Sequence, residues 1–282
     1  MYCPVDVPQA ALSPIKWAGG KRQLLPQLLA AQPSSWNRYL EPFAGGAALF
    51  FALRAPGAYL SDTNPELINM YRVIRDDVES LIAHLRRHRN EAEYFYAVRA
   101  LNPESLTPTE RASRLIFLNK TCFNGLFRVN SKGKFNVPFG RYQNPVIVNP
   151  DRLRAAHRVL QTAEIVEADY SAVLDVAQPH DFVYVDPPYV PVSTTANFTS
   201  YTADGFNWSD QVQLANMVRQ LAQRRCYVMA SNADVPAIHN LYRGMWIQVV
   251  PVRRAINSDA TKRSGATEVI ITTYPVEGAH RS

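Results

Sequence analysis

The chain has 282 residues, 47% hydrophobic and 19% charged, with a formal net charge of +6, a balance that suits a soluble globular protein and excludes a disordered or fibrous chain. No segment approaches the ~20 apolar residues of a spanning helix, and the N-terminal MYCPVDVPQAALSP lacks a basic stretch followed by an apolar run. A cytoplasmic protein that does not engage membranes is therefore expected.

Cys3, Cys122 and Cys226 are odd in number, widely spaced and without CxxC or His-rich neighbours. This points to ordinary packing, with no disulfide framework and no metal site. The charge is unevenly spread: residues 111 to 158 hold ten Lys or Arg against one acid, Asp151, so this window is net +9 and the rest of the chain is net −3. Such a segment is the footprint of a polyanion-binding surface, the alternative being a solvated basic face.

In chain order, the first informative stretch is IKWAGGKRQLL, residues 15 to 25. Gly19, Gly20 and Lys21 precede apolar residues at helical spacing, which places them at a helix N-terminus suited to a carboxylate or phosphate. Next, RYLEPFAGGAALFFALR predicts a short strand at Tyr39 and Leu40, a glycine turn, and a buried helix over 47–53. The turn is neither GxGxxG nor a triphosphate loop, so an adenosyl ligand without a pyrophosphate is the better candidate.

A strand over 58–61 ends in Asp62, 17 positions after Gly45. An acid at this distance can accept hydrogen bonds from ribose hydroxyls; Asp62-Thr63-Asn64-Pro65 is equally a helix-start signal. Residues 66 to 122 read as helical with no intervening strand, an insertion in an alternating α/β pattern. FNGLFRVNSKGKFNVPFGRY, residues 123 to 142, reads as a β-hairpin of Leu126–Val129 against Lys134–Val137. Period two puts Leu126 and Arg128 on one face, Phe127 and Val129 on the other. A two-stranded ribbon fits the DNA major groove, where arginine reads guanine and small apolar groups read the thymine methyl.

A strand at Glu164–Glu167 leads to Asp169-Tyr170, a pair that could hold an adenine or simply cap a turn. Phe182–Val185 is a strand that runs into Asp186-Pro187-Pro188-Tyr189, where the prolines must end the ladder and leave a rigid turn with a carboxylate at the strand's carboxyl end. A polar loop over 190–208, a helix over 209–223 and strands at 226–230, 246–252 and 268–274 complete the chain. RRAINSDATKRSGA before the last strand adds Arg253, Arg254, Lys262 and Arg263.

The chemistry of the Asp-Pro-Pro-Tyr turn follows from its groups. An aryl amine such as adenine N6 is a poor nucleophile because its lone pair is delocalised into the ring. Acceptors at both amine hydrogens, the Asp186 carboxylate and the Pro187 carbonyl, localise that pair, and the Tyr189 ring holds the base face. A sulfonium methyl is then open to direct attack without a metal or a nucleophilic side chain. A base inside a duplex must first be flipped out.

In these residues the chain resembles the Dam family of DNA adenine-N6 methyltransferases of the D12 class. KWAGGK, EPFAGG, DTN, NGLFRVNSKGKFNVPFGRY, DPPY and VRRAINS occur in the family's order over nearly all the chain beyond residue 14. The resemblance implies S-adenosylmethionine (AdoMet) as methyl donor, S-adenosylhomocysteine as product, no metal, and double-stranded DNA as substrate, with GATC as target. It assigns Trp17, Lys21, Phe43, Gly45, Asp62, Asp169, Tyr170 and Asp186 to AdoMet, and Asp186, Pro187, Pro188 and Tyr189 to the target amine. Lys16, Leu126, Arg128, Pro138 and Tyr142 are implied as base contacts, Phe123 and Asn124 as residues filling or flanking the flipped-base gap, and Arg141 as a phosphate contact. Ala47 departs from the family's FxGxG turn.

The implied fold is an α/β, Rossmann-like, seven-stranded methyltransferase sheet. Residues 1–63 and 151–282 would form the AdoMet-binding catalytic domain, and 64–150 the target-recognition insertion. The cell would be prokaryotic or phage-infected; a monomer is compatible with the sequence, which defines no protein partner. Transfer to cytosine N4, to RNA or to a protein amide, and a DNA-binding module without catalysis, stay open as alternatives at this level.

Overall fold

A computed structural model describes residues 13–190, 206–252 and 266–282. Cys3, the loop aromatics Phe198 and Tyr201, and the basic linker with most of VRRAINS lie outside the described residues. Eight strands occur among the described residues: β1 (Tyr39–Glu41), β2 (Tyr59–Asp62), β3 (Glu164–Glu167), β4 (Phe182–Val185), β5 (Tyr227–Ala233), β6 (Trp246–Val252), β7 (Ala266–Thr272) and β8 (His280–Arg281). Seven were expected; the extra one is a two-residue edge strand on β6, too short to leave a periodic signal.

The chain divides into two compact units. The first contains Lys21–Phe43 and Asp169–Ser282. Its strands run β1-β4-β5-β7-β6-β8, with β1, β4 and β5 parallel and the remaining pairs antiparallel. Every residue of β4 is buried, as the run FVYV requires of a strand covered on both faces. Tyr39, Trp36 and Phe182 pack ring to ring behind it. The helix Trp208–Gln223 starts with a capping box, Asn207 accepting from the backbone of Ser209 and Asp210 while Asp210 accepts from the Asn207 N–H.

The second unit holds residues 44–168 with the described stretch from 13 to 20. β2 and β3 pair in parallel, and between them come helices Pro65–Asp76, Val78–Leu85, Ala92–Ala100, Pro108–Thr121 and Pro150–Leu160, with no strand among them. The first four of these helices occupy the stretch over 66–122 that reads as helical in the sequence. Its core gathers Phe95, Val98, Phe117, Leu118, Cys122, Phe135 and Val137. Cys122 and Cys226 are buried free thiols, each pushed up to about 11 by burial, which fits packing.

The expected hairpin is shorter than its sequence suggests. Val129 and Phe135 form an isolated bridge, and the turn is closed by Asn130, whose side chain accepts from the backbone of Lys132 and Lys134. The period-two assignment of faces fails with it. Leu126 and Phe127 both lean on the helical core, while Val129 is exposed. The ladder holds from Arg128 to Asn136, where the Asn136 N–H donates to the Arg128 carbonyl and the Asn130 N–H to the Lys134 carbonyl, while Phe127 before it stacks on Trp17 at 5.1 Å and meets Phe135 edge-on.

Candidate functional site

In the first unit, the Asp-Pro-Pro-Tyr turn leaves β4 as its prolines require. Lys21, in a single 3-10 turn, places Nζ 2.9 Å from Asp186 Oδ1 and 4.6 Å from the centre of the Tyr189 ring. Both members of the ion pair are largely withdrawn from solvent, with side chains 8% and 18% exposed. The anion that Lys21 meets here is therefore the protein's own carboxylate. Burial raises the Asp186 pKa, the Lys21 charge pulls it back, and Glu268 pushes it up again. Tyr189 donates its hydroxyl hydrogen to Glu268 Oε2 at 2.9 Å, so the ring is held from β7 at its far end. Burial, the Asp186 charge and this acceptor keep the phenol neutral.

Glu268 was not singled out from the sequence. The available signal was a charged residue opening the otherwise apolar run EVIITTY. Phe43 and Tyr170 stack at 5.1 Å with Phe206 edge-on to both, forming an aromatic trio at the ends of β1 and the 3-10 turn Tyr170–Ala172. Asp169 is exposed and accepts from the Ser171 N–H, the capped-turn arrangement.

In the second unit, Asp62 ends β2 and accepts from the Gly45 N–H through Oδ2 and from the Asn64 N–H through Oδ1, both at 2.9 Å. The helix Pro65–Asp76 is capped by Asn64 instead, so capping does not account for Asp62. Desolvation raises its pKa and the backbone donors oppose that shift. Gly45 is further tied to the helix by the Tyr71 hydroxyl, which donates to its carbonyl at 2.7 Å. A Cβ at Gly46 would sit 3.2 Å from the Trp17 Cβ. A bare glycine turn beside a carboxylate that keeps spare lone pairs fits a ribose-bearing ligand. Ala47, where the family pattern has glycine, holds φ 46° and is 1% exposed. It keeps the left-handed conformation at the steric cost of a Cβ.

The same unit assembles the 123–142 loop. The Phe123 N–H donates to the Pro138 carbonyl, and the Asn124 N–H donates to the Tyr142 hydroxyl at 2.9 Å. Phe123 is 52% exposed and Tyr142 40%, large rings left on the surface. Gly140 permits the crossing, since a Cβ there would lie 2.8 Å from the Cys122 carbonyl oxygen. Lys16 is pinned beside this loop: its N–H donates to Asn119 Oδ1 and its carbonyl accepts from Asn119 Nδ2, which also donates to the Gly125 carbonyl. The structure thus brings together Lys16, Phe123, Asn124, Pro138 and Tyr142. Arg128 and Arg141 are both exposed on the loop, the former donating to Asn136 Oδ1 at 2.7 Å. Among the ten basic residues, Arg111 pairs with Glu66, Arg154 pairs with Glu79, and buried Arg114 donates to the carbonyls of Val98 and Arg99. The window charge therefore overstates the basic surface.

Residues 17–256 match the profile of the D12 class N6 adenine-specific DNA methyltransferases. The chain belongs to this family. It is 41% identical over 267 residues to the type II methyltransferase M1.LlaDCHI of Lactococcus lactis subsp. cremoris, covering 92% of this chain and 94% of the relative. It is 38% identical to the type II methyltransferase M.MjaIII of Methanocaldococcus jannaschii, covering 92% and 98%. It is 34% identical to a DNA adenine methylase of Vibrio cholerae, covering 91% and 94%. The enzyme is an AdoMet-dependent DNA methyltransferase acting on adenine N6, and its mixed α/β architecture is consistent with that methyltransferase fold. Among the described residues no helix is long and apolar enough to cross a membrane, and no group of three or more His, Cys, Asp or Glu could hold a metal ion.

Two outcomes follow from this geometry. Ala47→Gly relieves about 1–2 kcal/mol of left-handed strain against about 0.4–1 kcal/mol of unfolded-chain entropy and about 0.8 kcal/mol for the buried methyl, so denaturant unfolding shifts by less than about 1 kcal/mol; a loss of about 2 kcal/mol or more would contradict the strain. Lys21→Met removes the charge that holds the Asp186 pKa down. Its sign is fixed: the ionised carboxylate persists over a narrower range, so the acid limb of the methylation rate moves to higher pH, and an unmoved limb would show that Asp186 does not govern it.

Proposed function

We propose that the enzyme methylates adenine within GATC in duplex DNA after flipping the base out of the stack. Asp186 and the Pro187 carbonyl accept from the two amine hydrogens, Pro188 shapes the turn, and the Tyr189 ring stacks on the base. The lone pair localised on N6 would take the methyl group as its bond to sulfur breaks, with S-adenosylhomocysteine as the leaving group, and the surplus N6 proton would pass by way of its acceptor Asp186 to solvent. AdoMet, when bound, supplies that methyl group. Trp17, Lys21, Phe43, Gly45, Asp62, Asp169, Tyr170 and Asp186 hold it, and the reaction needs no metal.

The observation that carries this reading is the Asp186–Tyr189 turn itself: a largely desolvated carboxylate and a neutral tyrosine ring, each held in place, at the carboxyl end of β4. Support for base flipping comes from the exposed Phe123 ring, next to the left-handed Asn124 that is tied to Tyr142. A ring of this kind can fill the space that the base vacates and offset unstacking of a few kcal/mol. Leu126, Arg128, Pro138, Tyr142 and Lys16 are assigned to bases and Arg141 to phosphate. The supporting fact for this division is that Lys16, Arg128 and Arg141 are exposed. The chain divides by function into 1–63 with 151–282 for the cofactor and chemistry, and 64–150 for target recognition, in a prokaryotic or phage-infected cytoplasm.

A GATC duplex incubated with methyl-labelled AdoMet gains label at adenine N6, and 2-aminopurine at the target position brightens on binding. Label in mixed-sequence DNA equal to that in GATC would reject the site preference, and unchanged fluorescence would reject flipping. Arg128→Ala relaxes sequence preference at one base pair, at a cost of about 1–3 kcal/mol in discrimination. Arg141→Ala instead weakens binding to all sequences and lowers the salt slope by about one. Equal effects of the two substitutions on both readouts would reject this division of roles.

A further inference from the structure

The proposed chemistry uses one particular carbonyl, that of Pro187, and the neighbouring strand is placed to consume it. β4 and β5 run parallel, with Phe182 opposite Tyr227 and Val185 opposite Ala230, and the Tyr227 N–H donates to the Asp181 carbonyl at 2.8 Å. The two-residue repeat of a parallel ladder would send the N–H groups of Met229, Ser231 and Ala233 to the carbonyls of Val183, Val185 and Pro187 in turn. The last of these bonds is absent. The Ala233 N–H donates instead to Oδ1 of Asn232 at 2.8 Å. Among the described residues no donor meets the Pro187 carbonyl.

The Asn232 side chain continues inward. Its Nδ2 donates to Gln211 Oε1 at 3.0 Å, and Gln211 Nε2 donates to the Pro188 carbonyl at 2.8 Å. Both amides are buried, 1% and 2% exposed. Their orientations follow from the chain's ends. A backbone N–H can only donate, so Asn232 presents oxygen to Ala233; a carbonyl can only accept, so Gln211 presents nitrogen to Pro188. The remaining pair, nitrogen to oxygen, is then the one that bonds. Two buried amides bonded in one fixed direction form a link between β5, the helix Trp208–Gln223 and the turn.

We propose that Gln211 and Asn232 are positioning residues for methyl transfer: Asn232 diverts the Ala233 N–H from the Pro187 carbonyl, and Gln211 pins the Pro188 carbonyl, so that Pro187 presents a free acceptor to the target amine. This rests on the reading of the Asp186–Tyr189 turn given above. The pair touches neither base nor cofactor in this role. It decides which of two consecutive carbonyls is available and where that carbonyl points.

The test compares single-turnover methyl transfer with binding in the full-length enzyme. Gln211→Ala, Asn232→Ala and the double variant, each shown to be folded by circular dichroism, lower the single-turnover rate by about ten- to a hundred-fold, the scale of a misplaced reacting group. Their Kd values for AdoMet and for the GATC duplex stay within about two-fold of wild type. Because the residues act as one link, the double variant loses no more than the worse single. Gln211→Glu adds a pH signature. The carboxylate keeps the acceptor for Asn232 but has no donor for Pro188, whereas the protonated acid regains one. Its deficit relative to wild type therefore shrinks as pH falls. Folded variants with wild-type single-turnover rates, losses that multiply in the double variant, or losses that appear in Kd alone would overturn the proposal. Asp186→Ala separates the two readings. If it still transfers methyl groups, the assignment of the turn fails and this proposal with it. If it is inactive while the Gln211 and Asn232 variants transfer normally, the link alone is refuted.

Discussion

A carboxylate taken out of water needs compensation, and much of the first unit is arranged around that one at Asp186. The prolines that follow end the β4 ladder and leave the carboxyl at the strand end, where burial disfavours its charge. Lys21 supplies the opposing charge at 2.9 Å and lies over the Tyr189 ring as well. A desolvated carboxylate is also a stronger acceptor than a solvated one, because the local dielectric is low. What makes Asp186 costly to fold is also what suits it to the role proposed for it, as acceptor for the target amine.

The rest of the turn is held by one further carboxylate and two neutral amides. Glu268 fixes the far end of the tyrosine ring, and the Gln211–Asn232 amides fix a backbone carbonyl. These ties come from β7, from the helix Trp208–Gln223 and from β5, three different elements. Such a constellation suits a reaction whose acceleration comes from placement and electrostatics.

The second unit shows a different economy. Its helices build an aromatic core, and Phe127 and Phe135 anchor the 123–142 loop to it, so the loop presents Phe123, Tyr142, Arg128 and Arg141 from a stiff base. Ala47 shows the opposite choice in the glycine turn: a left-handed residue is kept without the glycine that would adopt it freely, and Tyr71 and Asp62 tie Gly45 on either side of the bend.

Sequence alone determined the strands β3, β4 and β6 to the residue, the helical character of 66–122, and the Asp186–Tyr189 turn, because proline geometry and apolar periodicity act over a few neighbouring residues. It also brought out Asp62 and the basic loop as stretches of composition and spacing. The extent of the hairpin, the internal engagement of Arg111, Arg114 and Arg154, and the partners of Asp186, Tyr189 and Pro188 were decided only by tertiary structure. Those outcomes depend on which residues far apart in the chain share a buried space. There, an unpaired charge or amide is expensive enough to override the local preference of the segment that carries it.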